Sequence, residues 1–125
     1  MSPLLFAAVS VSGGIGATLR FVLDGVIRSL THSAAPWGTI SINISGSFLL
    51  GILTSLAAGS ILPEQWLAIF GAGFLGGYTT FSTASLETVR LIRARLWGPA
   101  TSSGLGTLLG SVTAAGFGLW LGSLA

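Results

Sequence analysis

Four apolar runs, at residues 4–23, 37–58, 65–84 and 101–124, take up most of this chain and carry almost no charge. At about 1.5 Å per residue, some twenty helical residues cross the roughly 30 Å hydrocarbon core of a bilayer. Backbone groups find no water at that depth, so each run must close its hydrogen bonds internally as a helix. The expected fold is an all-α integral membrane protein with four transmembrane helices, one channel-sized domain over residues 1–125. Only 6% of the residues are charged, against about 25% in ordinary soluble domains, which rules out the soluble alternative.

The remaining composition narrows the function. Glycine is the commonest small residue, with 19 copies, and suits helices packed backbone to backbone, since lipid supplies no hydrophobic push between helices. The chain has arginines but no lysine, set against Asp24, Glu64 and Glu87, too sparse a pattern for a nucleic-acid surface. It has no cysteine, which removes disulfides, thiolate metal sites and a cysteine nucleophile. The first run starts at Pro3 without basic residues ahead of it or a small-residue cleavage site behind it, and reads as a retained span. No Ser-His-Asp set, paired carboxylates or histidine cluster falls inside the spans, so an enzyme is not expected. His32 reads as a loop residue.

The connections are short. Residues 24–36, with Arg28, Thr31, His32, Ser33 and Pro36, have loop chemistry, with room for a short helical start at Asp24. Residues 59–64 form a tight turn that should leave spans 2 and 3 antiparallel and touching. Span 3 is expected to continue to Arg95, where Trp97-Gly98-Pro99 ends it. Arg20, Arg28, Arg90, Arg93 and Arg95 all fall at one end of the spans, so the positive-inside rule puts both termini outside.

Span 3 contains the sharpest anomaly. Residues 71–83 hold Gly71, Gly73, Gly76 and Gly77, followed by the hydroxyls of Thr79, Thr80, Ser82 and Thr83. That composition weakens a helix and predicts a break, which at membrane depth survives only beside protein or a water-filled cavity. The bland alternative is close packing of small residues. Two polar stripes accompany it. Thr39, Asn43 and Ser47 on span 2 and Ser103, Thr107 and Ser111 on span 4 recur at four-residue spacing, which aligns each set on one helical face. Gly106 and Gly110 form a small-residue surface beside the second stripe.

Asn43 alone could be an interhelical clasp worth about 0.6 kcal/mol. Two stripes and a hydroxyl-rich break together predict a narrow polar conduit. No acidic residue lies mid-span, so the carboxylates of a cation pore or proton-coupled pump are missing, and donors predominate. That balance favours an anion. The edge of Phe81, just after the break, carries the positive part of its quadrupole and can face an anion; its ordinary reading is core filling. Arg20 either marks the mouth or snorkels to the interface. Glu87 lies about a turn beyond Thr83, within reach of Arg90 or Arg20. Carbonyls released around residues 76–80 could instead hold a hard cation such as Na⁺ at a half-helix C-terminus.

The segments GGIGATLR (13–20), WGTISINISGSF (37–48) and GFLGGYTTFST (73–83), with Glu87 beyond, resemble the CrcB/Fluc fluoride channels over all four spans. The resemblance implies a passive, selective fluoride exporter in the plasma membrane of a prokaryote, an antiparallel dimer with two pores and a structural, untransported Na⁺ at its centre. Fluoride would enter cells as the neutral acid, dissociate in the more alkaline cytoplasm and leave down its gradient. Carried over by position, main-chain carbonyls of Gly76 and Thr79 would hold Na⁺. The pore would use Asn43 and Phe81 with Ser82, Thr83, Ser103 and Thr107; Thr39 shares the stripe of Asn43, and Arg20 would lie near the vestibule.

Two positions depart from the family pattern. A second phenylalanine common in the family is replaced by Ala84, and a tyrosine often found on span 4 by Ser103. With the one-sided arginines, this suggests that the partner in the dimer is a paralogous chain of opposite orientation. Two rivals are a small multidrug-type exporter, which would need an acidic residue in span 1, and a non-conducting subunit of a heterodimeric channel.

Overall fold

The computed structural model describes all 125 residues and contains only helices and their connections. Helix α1 (Pro3–Leu30), α2 (Trp37–Ala58) and α5 (Trp97–Ser123) are each long and apolar enough to cross a bilayer. Between α2 and α5, residues 64–78 form α3 and Ser82–Arg93 forms α4.

Helix α1 begins with Ser2 as N-cap, its Oγ accepting from the Leu5 N–H at 3.1 Å, and Pro3 in the first turn, where a missing N–H does no harm. It does not stop at Asp24. Arg28 Nε bonds Asp24 Oδ2 at 3.0 Å one turn earlier, an i,i+4 pair that supports helix, and the loop is confined to residues 31–36. The Trp97-Gly98-Pro99 sequence likewise opens α5 instead of closing the preceding helix, because proline is accommodated in a first turn. The preceding helix has already ended at Arg93. Ala94–Leu96 turn back, with Arg95 at φ 59° and the N–H groups of Arg95 and Leu96 reaching the carbonyls of Ile92 and Leu91.

Glycine decides which helices meet. A Cβ on Gly16 would strike the Phe74 carbonyl and one on Gly77 the Gly13 carbonyl, so α1 and α3 lie backbone against backbone. Gly51 and Gly118 do the same for α2 and α5, against Ala115 and Phe48. Approach this close is what van der Waals attraction in lipid requires. Gly110 packs on Ile44, whereas Gly106 faces only its own preceding turn, so half of the expected Gly106/Gly110 surface makes a contact. The buried apolar core is small, Ile42, Leu75 and Tyr78 with Phe74, Leu23 and Leu53 around them; the larger apolar side chains mostly point outward, as lipid permits.

Within α3, residues Ala68–Leu75 are wound as a π-helix, with hydrogen bonds reaching one residue further than in an α-helix. Ser12 of α1 donates to the Ile69 carbonyl there at 2.7 Å. A second π segment, Ser102–Gly106, lies near the start of α5.

A polar groove beside the Thr79–Phe81 segment

Helical geometry ends at Tyr78. Thr79 is extended, with φ −82° and ψ 161°, and helix resumes at Ser82. The polar groups of this short segment have defined partners. The Thr79 N–H and hydroxyl both donate to the Leu75 carbonyl at 2.9 Å. Asn43 of α2 grips the next residue from both sides, its Nδ2 donating to the Thr80 carbonyl at 2.8 Å and its Oδ1 accepting from the Thr80 N–H at 2.8 Å. Thr80 Oγ1 then accepts from the Thr83 N–H at 3.2 Å and caps the start of α4.

In an unbroken helix the Thr80 N–H would bond the Gly76 carbonyl. Asn43 has taken that donor, so the Gly76 oxygen is left without it. The neighbouring Gly77 carbonyl is occupied by Arg20 Nε at 3.2 Å. The end of α3 therefore presents oxygen atoms carrying the partial negative charge of a helix C-terminus. Oxygen donors of this kind suit a hard cation, and no cluster of His, Cys, Asp or Glu in the chain could hold a metal. The Gly76 carbonyl, left over by the Asn43–Thr80 pairing, is therefore of the right chemistry for a cation held by main chain.

Alongside lies an open groove of about 950 Å³ between α2, α3, α4 and α5. It gathers Asn43, Gly76, Thr79, Phe81, Ser103 and Thr107, together with Ala84, Ser47, Thr88 and Ser111. Asn43 and Ser103 are almost wholly buried, and Phe81 is 87% exposed. Ser103 Oγ pairs with Thr88 Oγ1 at 2.7 Å, and Thr88 bonds the Ala84 carbonyl at 2.9 Å. Thr107 Oγ1 and Ser111 Oγ are buried with no hydrogen-bond partner. Such atoms are costly in a low-dielectric setting. Asn43 has two amide hydrogens and gives one to Thr80, so the groove offers donors that the fold does not consume. Donors in a groove whose lining holds no carboxylate suit a small anion.

The other expected positions fall elsewhere. Arg20 is committed to the Gly77 carbonyl. Thr39 donates to Glu87 Oε1 at 2.8 Å, and the ionic partner of Glu87 is Arg28, at 3.3 Å, instead of Arg90 or Arg20, because α1 stays helical long enough to bring Arg28 across. Ser82 is exposed and Thr83 half-buried, and neither lines the groove. Ser111 and Ser47 do line it; each continues a four-residue series already visible in the sequence. Thr88 had no such signal, since only the fold of α4 against α5 brings it to Ser103.

A family model described as CrcB-like protein, Camphor Resistance (CrcB), matches residues 7–122. Among curated proteins, the fluoride-specific ion channel FluC 1 of Leifsonia xyli subsp. xyli (strain CTCB07) is 54% identical over 125 residues, covering 100% of this chain and 91% of that protein. The fluoride-specific ion channel FluC of Sulfurovum sp. (strain NBC37-1) is 43% identical over 98 residues, 78% of this chain and 77% of its own. That of Paramagnetospirillum magneticum (strain ATCC 700264 / AMB-1) is 37% identical over 125 residues, covering 98% and 94%.

Proposed function

This chain belongs to the CrcB-like protein family, and from that membership we propose that it is a fluoride-specific ion channel of the cell membrane, letting fluoride leave the cytoplasm by passive flow. It is a transporter and not an enzyme. The groove beside Thr79–Phe81 is the wall of its pore.

In this reading α3 and α4 are two halves of one interrupted membrane crossing, and the interruption faces the ion path. Asn43 has two tasks. It holds Thr80 in place and turns its second N–H toward the ion. The hydroxyls of Thr107 and Ser111 continue the path along α5, replacing part of the anion's water shell one step at a time, while Ser103, whose proton goes to Thr88, braces the wall between them and α4. The Phe81 edge adds a weakly positive surface that does not trap the ion. Ser82 and Thr83 belong to the mouth of the path, while Thr39 and Arg20 act behind the wall, through Glu87 and the Gly77 carbonyl.

Na⁺ held by the Gly76 and Thr79 carbonyls would supply a fixed positive charge that neutralises the end of α3 and locks the interruption. Such a site near a chain's exposed Phe81 suits an antiparallel dimer, with the second subunit covering that ring. Ala84 lies on the groove wall, where the family commonly carries a second phenylalanine. The one-sided arginines make a paralogous chain of opposite orientation the natural partner, supplying that ring.

The observation that carries the pore assignment is the pair of buried, unpartnered hydroxyls, Thr107 and Ser111, in the groove that holds Asn43. The test is fluoride efflux from liposomes, followed with a fluoride electrode against a chloride control, with accessibility of the termini measured in the same vesicles. Fluoride efflux without chloride efflux is expected; equal efflux of both ions would sink the proposal. Robust flux from this chain alone, with termini on both sides, would remove the paralogous partner.

A further inference from the structure

Two of the arginines are used by the fold and three are not. Arg20 bonds the Gly77 carbonyl, and Arg28 bridges Asp24 and Glu87. Arg90, Arg93 and Arg95 lie within six residues of one another, all exposed, and make no salt bridge or side-chain hydrogen bond. No free carboxylate of the chain is at hand. Asp24 and Glu87 are engaged with Arg28, and Glu64 stands at the far end of the α3–α4 run. Around the three cations the same end of the molecule exposes Leu86, Ile92, Leu96 and Trp97.

The backbone adds a second sign. Arg95 has φ 59°, the left-handed position that closes a helix and that glycine occupies most easily. A side chain there is strained, because its Cβ crowds the following carbonyl. Here the chain carries a guanidinium at that position. The turn aims the third charge outward, just before an exposed tryptophan of the kind that settles at a membrane interface.

We propose that the end of α4 and the turn into α5 form a binding surface for the headgroups of anionic phospholipids. The apolar side chains lie against acyl chains while the three guanidiniums engage phosphate oxygens, for which their planar fork is well shaped. The surface is separate from the groove and does not depend on conduction.

Native mass spectrometry of the purified, delipidated full chain, incubated with equal phosphatidylglycerol and phosphatidylcholine, tests this directly. The native chain is expected to retain phosphatidylglycerol at least about tenfold over phosphatidylcholine, given the attraction of each basic residue for an anionic surface, with the preference shrinking as salt rises. R90Q/R93Q/R95G should lose it. R95G alone separates charge from folding, because glycine relieves the left-handed strain; it should melt no lower than the native chain yet show a reduced preference. Equal retention of the two lipids by the native chain, or an undiminished preference in the triple variant, would overturn the proposal.

Discussion

The Asn43 carboxamide and the Thr80 main chain are matched donor to acceptor and acceptor to donor, both at 2.8 Å. One side chain of α2 thereby does for Thr80 what a helical turn would otherwise do, and the chain leaves α3 without leaving these buried groups unsatisfied. Asn43→Leu should destabilise the protein by about 1–3 kcal/mol, since both Thr80 groups lose their partner, and should abolish fluoride flux. Asn43→Asp, which keeps the acceptor but not the donor, should lie between the two. Unfolding in a detergent titration, beside liposome efflux, reads both effects; a stable, conducting Asn43→Leu protein would show that the pairing is dispensable.

Thr107 Oγ1 is buried without a partner, so its hydroxyl works against the fold. Thr107→Val keeps the shape and removes the unsatisfied group, and is expected to raise stability by up to about 1 kcal/mol while lowering fluoride efflux. Opposite movements in melting temperature and flux are the signature of a side chain retained for transport. Unchanged flux would assign Thr107 to packing alone.

Glycine contacts make a paired test. Gly16→Ala drives a methyl into the Phe74 carbonyl, whereas Gly14→Ala, two residues earlier on the same helix, meets nothing within 4 Å. The first should cost about 1–3 kcal/mol from overpacking, and the second should be neutral or gain up to about 1 kcal/mol in helix propensity. Thermal melts of the two variants in one detergent check this, and similar melts would mean that α1 and α3 are further apart than described.

Glu87 joins α4 to α1 through Arg28 and to α2 through Thr39. Arg28 is more than half exposed, so the ionic part is screened and worth little. Glu87→Gln, which still accepts from Thr39, should cost less than about 1 kcal/mol. Glu87→Leu strands the Thr39 hydroxyl at the buried end of α2 and should cost about 1–3 kcal/mol. A detergent-unfolding series would reveal whether charge or hydrogen bonding matters; equal losses in the two variants would refute the division.

The membrane class, the helical content and the polar series through Asn43 and Thr107 were legible in the chain because each depends on spacing along one helix. Ser111 and Ser47 belonged to the same series. Other features depended on neighbours distant in sequence. The extent of α1 beyond Asp24 was not legible, because its loop-like residues are outweighed by the Arg28 pair with Asp24 and the cross-helix contact with Glu87. The Trp97-Gly98-Pro99 sequence suits a helix end and a helix start equally, and the turn at Arg95 decides between them.

By itself the sequence determined that the chain lies in a bilayer as helices, since apolar length and missing charge allow no other way to satisfy the backbone. It also determined where helix would be weak, because glycine and hydroxyl residues act on the chain locally. Only the tertiary structure decided which carbonyls at that weak point are taken and which are left over. Asn43 comes from α2 and Arg20 from α1, and their hydrogen bonds to Thr80 and Gly77 exist only once glycine has let those helices approach α3.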